Sequence, residues 1–75
     1  GGENEDLFEA LRGLRKQLAD QEGLPAYIVL SDKVLHLLSI SRPTTIEDFG
    51  SISGIGEYKK KKYGKDFVNL IRQFT

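Results

Sequence analysis

The sequence predicts an all-α protein, a compact bundle of five helices. In the longest segments, apolar residues recur at three- and four-residue steps, which is the period of one helix face. Capping residues, glycine and proline separate these segments at short intervals, as is typical of helix boundaries. The one candidate strand, residues 26–30, has no partner strand elsewhere in the chain, and an isolated strand is not stable in water. Short connections between five helices describe one small core.

The first helix has the clearest apolar face, formed by Leu7, Ala10, Leu11, Leu14 and Leu18. Asn4 or Asp6 can cap its start, and acidic residues in the first turn suit the positive end of the helix dipole. Gly23 is expected to end the helix, because glycine readily adopts the left-handed conformation that follows a helix. Residues 1–6 are interpreted as a disordered start or one added in cloning, so a single folded domain is expected over residues 7–75.

The second and third helices are predicted from a proline and a cap. Pro25 opens the second helix at a position where its missing N–H does no harm. Ser31 or Asp32 caps the third helix, and Pro43 ends that segment. The apolar side of the third helix is formed by Val34, Leu35, Leu37 and Leu38.

The fourth and fifth helices complete the bundle. Two overlapping capping boxes, in Thr44–Glu47 and Thr45–Asp48, predict a short fourth helix. This helix is expected to bury Ile46 and Phe49. Residues 51–56 form a turn, and the last helix runs over residues 57–73, where Gly64 is expected to interrupt or bend it. Its inward face is expected to hold Tyr63, Phe67, Leu70, Ile71 and Phe74.

Composition excludes several classes of site. The chain has 75 residues and no cysteine, so disulfides and thiolate metal sites are excluded. One histidine completes no zinc or iron ligand set, and neither a metal nor a cofactor is expected. The longest apolar run, residues 26–30, is far shorter than the roughly 20 residues of a membrane span. We therefore expect no contact with a membrane.

Charge is balanced in sum but unevenly placed. The chain has 11 basic and 11 acidic residues, so any electrostatic binding must come from local clusters. Residues 3–9 are acidic without a basic residue, whereas residues 57–66 hold five lysines against Glu57 and Asp66. Four of these lysines, Lys59 to Lys62, are consecutive and cannot all face one way on a helix, so Lys59 or Lys62 is expected along the core edge. A solvated helix face and a nucleic-acid contact both fit this run.

Two further motifs have an ordinary structural explanation. Ser31, Asp32 and His36 are the residue types of a catalytic triad, but the first two suit helix caps and the histidine lies among leucines. Gly54-Ile55-Gly56 lacks the Lys-Ser/Thr pair of a P-loop, and Lys59 stands where a dinucleotide fingerprint needs its third glycine. A tight turn between helices is favoured over a single phosphate contact. Tyr27 could stack on a base, although residue chemistry alone favours a core tyrosine.

Five segments, in order and spacing, resemble the signatures of HRDC domains, the helicase-and-RNase-D C-terminal family. The opening helix of the family is matched by LFEALRGLRK at residues 7–16, and its "VPAYVVFSD" hallmark by LPAYIVLSD at residues 24–32. Later signatures are matched by RPTT at 42–45, SGIG at 53–56 and KYGKDF at 62–67. The resemblance covers residues 7–74 and is greatest to bacterial RecQ helicases, with RNase D a less similar parent.

The resemblance implies a non-catalytic five-helix HRDC-like bundle that assists a separate ATP-dependent motor in DNA repair and recombination. It implies weak binding to single-stranded or branched DNA, a monomer, and a bacterial cytoplasmic location at the nucleoid. Tyr27 matches the family's aromatic position at the DNA contact, and Lys33 lies near it in the next cap. With the lysine run, the predicted DNA-binding residues are Tyr27, Lys33, Lys59, Lys60, Lys61 and Lys62. Two alternatives are a domain that docks on the helicase core or another protein, favoured by the zero net charge, and the HRDC domain of an RNase D-type nuclease.

Overall fold

A computed structural model describes residues 5–75, and this part of the chain contains five helices and no strand. The helices are α1 (Glu5–Glu22), α2 (Ala26–Val29), α3 (Asp32–Ser41), α4 (Ile46–Gly50) and α5 (Gly56–Arg72). The long helix α1 packs against α2, α3 and α5, and α4 packs mainly against α5. The all-α class and the five helices expected from the sequence are confirmed.

Helix α1 buries one stripe of residues at four-residue steps, Leu7, Leu11, Arg15 and Ala19. The other apolar residues that were expected inside, Ala10, Leu14 and Leu18, lie half-buried at the edges of this stripe. The helix begins at Glu5, so Asp6 lies inside it and does not cap its start, and the other candidate cap, Asn4, lies outside the described residues. The buried face of α1 is therefore centred on a line that includes Arg15 and Ala19, and not on the line through the leucines that the sequence predicted.

The end of α1 is a glycine-based cap. Gly23 has φ +68°, and the N–H of Leu24 donates to the carbonyl of Ala19 at 2.9 Å, while the N–H of Gly23 donates to that of Asp20 at 3.3 Å. These two bonds form the pattern in which a left-handed glycine satisfies the last helical carbonyls. The expected role of Gly23 is confirmed.

Side-chain caps resolve two alternatives that the sequence left open. Ser31, rather than Asp32, caps α3, because its Oγ accepts a hydrogen bond from the Val34 N–H at 3.2 Å. Thr45, rather than Thr44, caps α4 through the same type of bond from the Asp48 N–H at 3.1 Å. Helix α2 is a single turn after Pro25, as expected, and has no side-chain cap.

Helices α4 and α5 pack closely against each other. Phe49 of α4 stacks on Phe67 of α5 with ring centroids 5.8 Å apart. A Cβ atom on Gly64 would lie 3.3 Å from the Cγ2 atom of Ile46, so this glycine lets the two helices approach closely. The expectation that Gly64 interrupts α5 is wrong, because the helix continues through it. Ile46 was expected to be buried, but it is exposed at the open edge of α4.

The core joins all five helices and the α4–α5 turn. Of the five residues expected on the inner face of α5, three are buried and two, Leu70 and Phe74, are half-buried. Ile55 in the turn is also buried. The largest fully buried side chains are Phe49, Phe67, Leu7, Leu11, Leu30, Leu35, Leu38 and Ile71.

Candidate functional site

One end of the bundle collects most of the residues that the sequence singled out. Glu22, at the end of α1, forms an ion pair with Lys62 of α5. Gly54, in the α4–α5 turn, lies against α3, since a Cβ atom there would be 2.8 Å from the Cγ2 atom of Val34. Helix α2 connects the end of α1 to the start of α3. We call this region the α2 end; it comprises the last turn of α1, α2, the first turn of α3, the α4–α5 turn and the first two turns of α5.

Tyr27 lies at the α2 end with 67% of its surface exposed. The interpretation of Tyr27 as a core tyrosine is therefore wrong, and its ring is available for stacking. Two further apolar residues close to it in sequence, Leu24 and Ile28, are also exposed. Lys33, in the first turn of α3, is exposed and has no carboxylate within 4.0 Å in residues 5–75. An aromatic ring and an uncompensated ammonium group thus occur on adjacent elements.

Arg15 ties α1 to the segment that follows α2. Its Nη1 atom donates to the Leu30 carbonyl at 2.9 Å and to the Asp32 carboxylate at 2.8 Å. The residue is only 8% exposed, and its hydrogen bond lowers the pKa of Asp32 below the ordinary value. Arg15 was not among the residues predicted from the sequence. The signal was its position four residues after Leu11 and four before Ala19, on the stripe that α1 buries.

Lys60 turns toward α4. Its Nζ atom is 3.0 Å from Glu47 and 3.6 Å from Glu57, and the hydrogen bond to Glu47 raises the lysine pKa. Its side chain is 17% exposed, and its stem covers Gly50 of α4. Lys60 therefore runs along the edge of the core, a place that was expected for Lys59 or Lys62.

Lys62 turns toward α1 and is held there by a polar network. It pairs with Glu22 and also donates to the hydroxyl of Tyr58 at 3.2 Å. The Tyr63 hydroxyl donates to the same glutamate at 2.8 Å. The hydrogen bonds from Lys62 and Tyr63 lower the pKa of Glu22, and the bond to Glu22 raises that of Lys62. Burial is the main reason that the pKa of Tyr63 is raised.

The lysine run is thus divided rather than gathered. Two of its members, Lys60 and Lys62, bind carboxylates on two different helices. The other two, Lys59 and Lys61, have no carboxylate within 4.0 Å in the part of the chain that the structure describes. Half-buried Lys59 and exposed Lys61 lie two residues apart on α5, and so point to different sides of the helix axis.

The residues of the triad hypothesis have separate partners. Ser31 caps α3, and Asp32 binds Arg15. The His36 ring stacks on Phe8 with centroids 4.4 Å apart. Ser31 is a helix cap, as expected, whereas Asp32 binds an arginine rather than capping α3 and His36 lies against an aromatic ring. In the glycine turn, Gly54 and Gly56 have φ values of +97° and +70°, so their presence is explained by a conformation that other residues rarely adopt.

Tyr58 is a surface aromatic that the sequence analysis did not single out. It lies in the first turn of α5 and is 70% exposed. Its place directly before the lysine run was a signal that could have found it. Within residues 5–75, no group of three histidine or acidic side chains is placed to hold a metal ion. No helix in this range has the length and apolar character needed to cross a bilayer.

Comparisons with known proteins identify the family. The sequence model of the HRDC domain family matches residues 4–71. The chain is 40% identical over 73 residues to ATP-dependent DNA helicase RecQ of Bacillus subtilis, covering 97% of this chain and 12% of that protein. It is 41% identical over 70 residues to RecQ of Pasteurella multocida, covering 93% and 11%. The solved D. radiodurans RecQ HRDC domain 3 superposes with a TM-score of 0.89 at 31% identity, covering 93% of this chain and 92% of that one.

The fold and the comparisons define a small helical accessory module. The chain belongs to the HRDC family, as the resemblance implied, and these relatives carry the domain within a DNA helicase. It spans about an eighth or less of the length of the helicases it matches.

Proposed function

We propose that this chain is the accessory domain of a RecQ-type DNA helicase and that it binds single-stranded or branched DNA weakly. It contributes no catalytic group; the ATP-driven motor lies elsewhere in the parent protein and is directed by this domain to its substrates in DNA repair and recombination. The domain acts as a monomer, in the bacterial cytoplasm at the nucleoid. The RecQ relatives support the parent, and the exposure of both Tyr27 and Lys33, on consecutive helices, is the observation that carries DNA binding.

The proposed contacts differ in strength. Tyr27 supplies a stacking surface, and Lys33, Lys59 and Lys61 supply ammonium groups that no carboxylate within 4.0 Å compensates in residues 5–75. Lys60 and Lys62 contribute less, because a phosphate must compete with the carboxylates that already bind them. This division explains how a chain with zero net charge can attract a polyanion weakly at one end.

Fluorescence anisotropy of a labelled oligo-dT over a range of salt concentrations tests this function. Each phosphate contact on a single strand contributes about −0.7 to the slope of log K against log salt, so three contacts give about −2. Tyr27→Leu should weaken binding and leave the slope unchanged, whereas Lys33→Gln should reduce the slope. Tyr27→Phe, which keeps the ring, is the matched control. No binding at the lowest salt concentration would remove the DNA-binding proposal.

One observation favours a second function, docking on the helicase core. Leu24 and Ile28, close to Tyr27, expose apolar surface that a protein partner would cover more fully than a nucleic acid. Titration of the ¹⁵N-labelled domain with the parent's helicase core and with oligo-dT separates the two functions. Shifts of the Leu24 and Ile28 amides with the core alone would favour docking.

A further inference from the structure

We infer that a second single-strand contact lies on α5 and is formed by Tyr58, Lys61 and Lys65. These three residues form a surface, the α5 stripe, that takes one base on the tyrosine ring and backbone phosphates on the two lysines. The inference rests on the proposed function, which it extends from Tyr27 to a different helix. Within the lysine run, it assigns phosphate binding to Lys61 rather than to Lys60 and Lys62.

The helix period places the three side chains on one face. Tyr58, Lys61 and Lys65 stand at positions i, i+3 and i+7, and all three are exposed. Neighbours at such spacings lie one above another along a helix. The two lysines are about 6 Å apart along the axis at 1.5 Å per residue, so they can meet successive phosphates of an extended strand.

Charge and exposure together single out these two lysines on α5, since Lys59 is also unpaired among the described residues but is half-buried. Neither Lys61 nor Lys65 has a carboxylate within 4.0 Å in residues 5–75, whereas Lys60 and Lys62 each bind at least one. A phosphate that binds Lys61 or Lys65 displaces no intramolecular ion pair. The contacts that cost least to form are therefore on the outward stripe, and not on the sides of α5 that face α4 and α1.

The Tyr58 ring is held in position but its faces are open. Lys62 binds the Tyr58 hydroxyl at 3.2 Å, and its Nζ atom lies 5.4 Å from the ring centroid. A cation at these two distances lies beyond the hydroxyl end of the ring, and not above its face. Lys62 is itself fixed by Glu22. Since the ring is oriented before a ligand arrives, little side-chain freedom remains to be lost on stacking. In this arrangement Lys62 is a positioning residue.

Binding assays on four variants, with oligo-dT and with an abasic strand of equal length, test the inference. Tyr58→Leu should weaken binding to oligo-dT at least fivefold, the lower end of what one stacked base contributes, and leave abasic binding unchanged. Tyr58→Phe should retain most of the affinity. The pair Lys61→Gln and Lys65→Gln should weaken binding to both strands and reduce the salt slope by about 1.4. Lys60→Gln, which makes the same charge change per site on the same helix, should alter the slope by much less.

Aromatic ¹H–¹³C spectra of the unmodified domain give a readout that does not depend on any variant folding. The chain has three tyrosines; oligo-dT should shift the ring signals of Tyr58 and Tyr27 and leave buried Tyr63 unchanged. If the domain binds oligo-dT and Tyr27 shifts while Tyr58 does not, the α5 stripe is overturned and the proposed function stands. If the domain does not bind oligo-dT, both fail. A Tyr58 shift seen with the helicase core but not with DNA also overturns the stripe.

Discussion

Tyr27 and Tyr58 are the two exposed tyrosines at the α2 end, and they are supported in different ways. Tyr27 lies on a one-turn helix without a side-chain cap. This helix is anchored to α1 by the hydrogen bond from Arg15 to the carbonyl of Leu30, the residue that follows it. Tyr58 lies on a 17-residue helix, and its hydroxyl is fixed by Lys62 and, through it, by Glu22. Equal exposure therefore does not mean equal rigidity. Tyr27 is placed by its backbone, whereas Tyr58 is placed by its own side chain.

The largest effect is expected from removal of the anchor under α2. Arg15→Met keeps a long apolar stem but leaves the Leu30 carbonyl without its donor, which costs about 1–3 kcal/mol for a buried group. Urea unfolding followed by circular dichroism at 222 nm measures the loss. The Tyr27 ring signals should broaden or shift, while those of Tyr58 stay in place. A loss below about 0.5 kcal/mol, the range of ordinary surface changes, would contradict the anchoring role of Arg15.

A smaller effect is expected at the support of Tyr58. Tyr63→Phe retains the ring but removes the hydroxyl that donates to Glu22, so the free energy of unfolding should fall by about 1 kcal/mol. Tyr27→Phe is the matched control, because no hydrogen bond to the Tyr27 hydroxyl is present in residues 5–75, and it should stay within about 0.5 kcal/mol of the unchanged protein. Equal losses from both variants would show that the Tyr63–Glu22 bond does not stabilise the fold.

The smallest expected effect is on the pH dependence of stability, which compares the carboxylates Glu22 and Asp32. The pKa of Glu22 lies below its ordinary 4.5 and that of Asp32 below its ordinary 3.8 in the folded chain. As pH falls, the unfolded state binds these protons first, so stability is full above the ordinary values and is lost as pH falls through the lower folded values. Urea midpoints at pH 7, 5, 4 and 3 should fall less steeply for Glu22→Gln and for Asp32→Asn.

Glu5→Gln, at the opposite end of α1, controls for the change in net charge. If Glu22→Gln gave the same acid response as the unchanged protein, the network beneath Tyr58 would contribute nothing to the pH dependence. A difference confined to Asp32→Asn would assign the acid response to the α2 side alone.

The sequence predicted the five helices well because their signals are local. Caps such as Ser31 and Thr45, and the stop at Gly23, act within a few residues of the helix that they begin or end. The burial of Arg15 was not predicted. A charged residue can be buried on an apolar stripe only where a carbonyl and a carboxylate from distant residues accept its hydrogen bonds, and the sequence does not show such contacts. The error on Ile46 has the same origin, since only the packing of α4 on α5 decides which side of a five-residue helix is covered.

The candidate site depended even more on contacts between distant residues. The exposure of Tyr27 could be suspected from the HRDC resemblance, but residue chemistry alone pointed inward. The division of the lysine run could not be predicted, because Glu22 and Glu47 lie 40 and 13 residues away from the lysines that they bind. Tyr58 directly precedes the lysine run in the sequence. Its exposure, which only the structure shows, makes it a candidate binding residue.

The contact between Gly50 and the Lys60 stem means that a residue of α4 helps to decide where α5 holds one of its ammonium groups. The space above Gly50 is filled by methylene groups, and any β-carbon there would collide with them. The lysine stem would have to shift to make room, and the position of the ammonium group that binds Glu47 would change with it. Two HRDC domains with identical formal charge and identical lysines could therefore differ in their attraction for a polyanion through a single methyl group on the neighbouring helix.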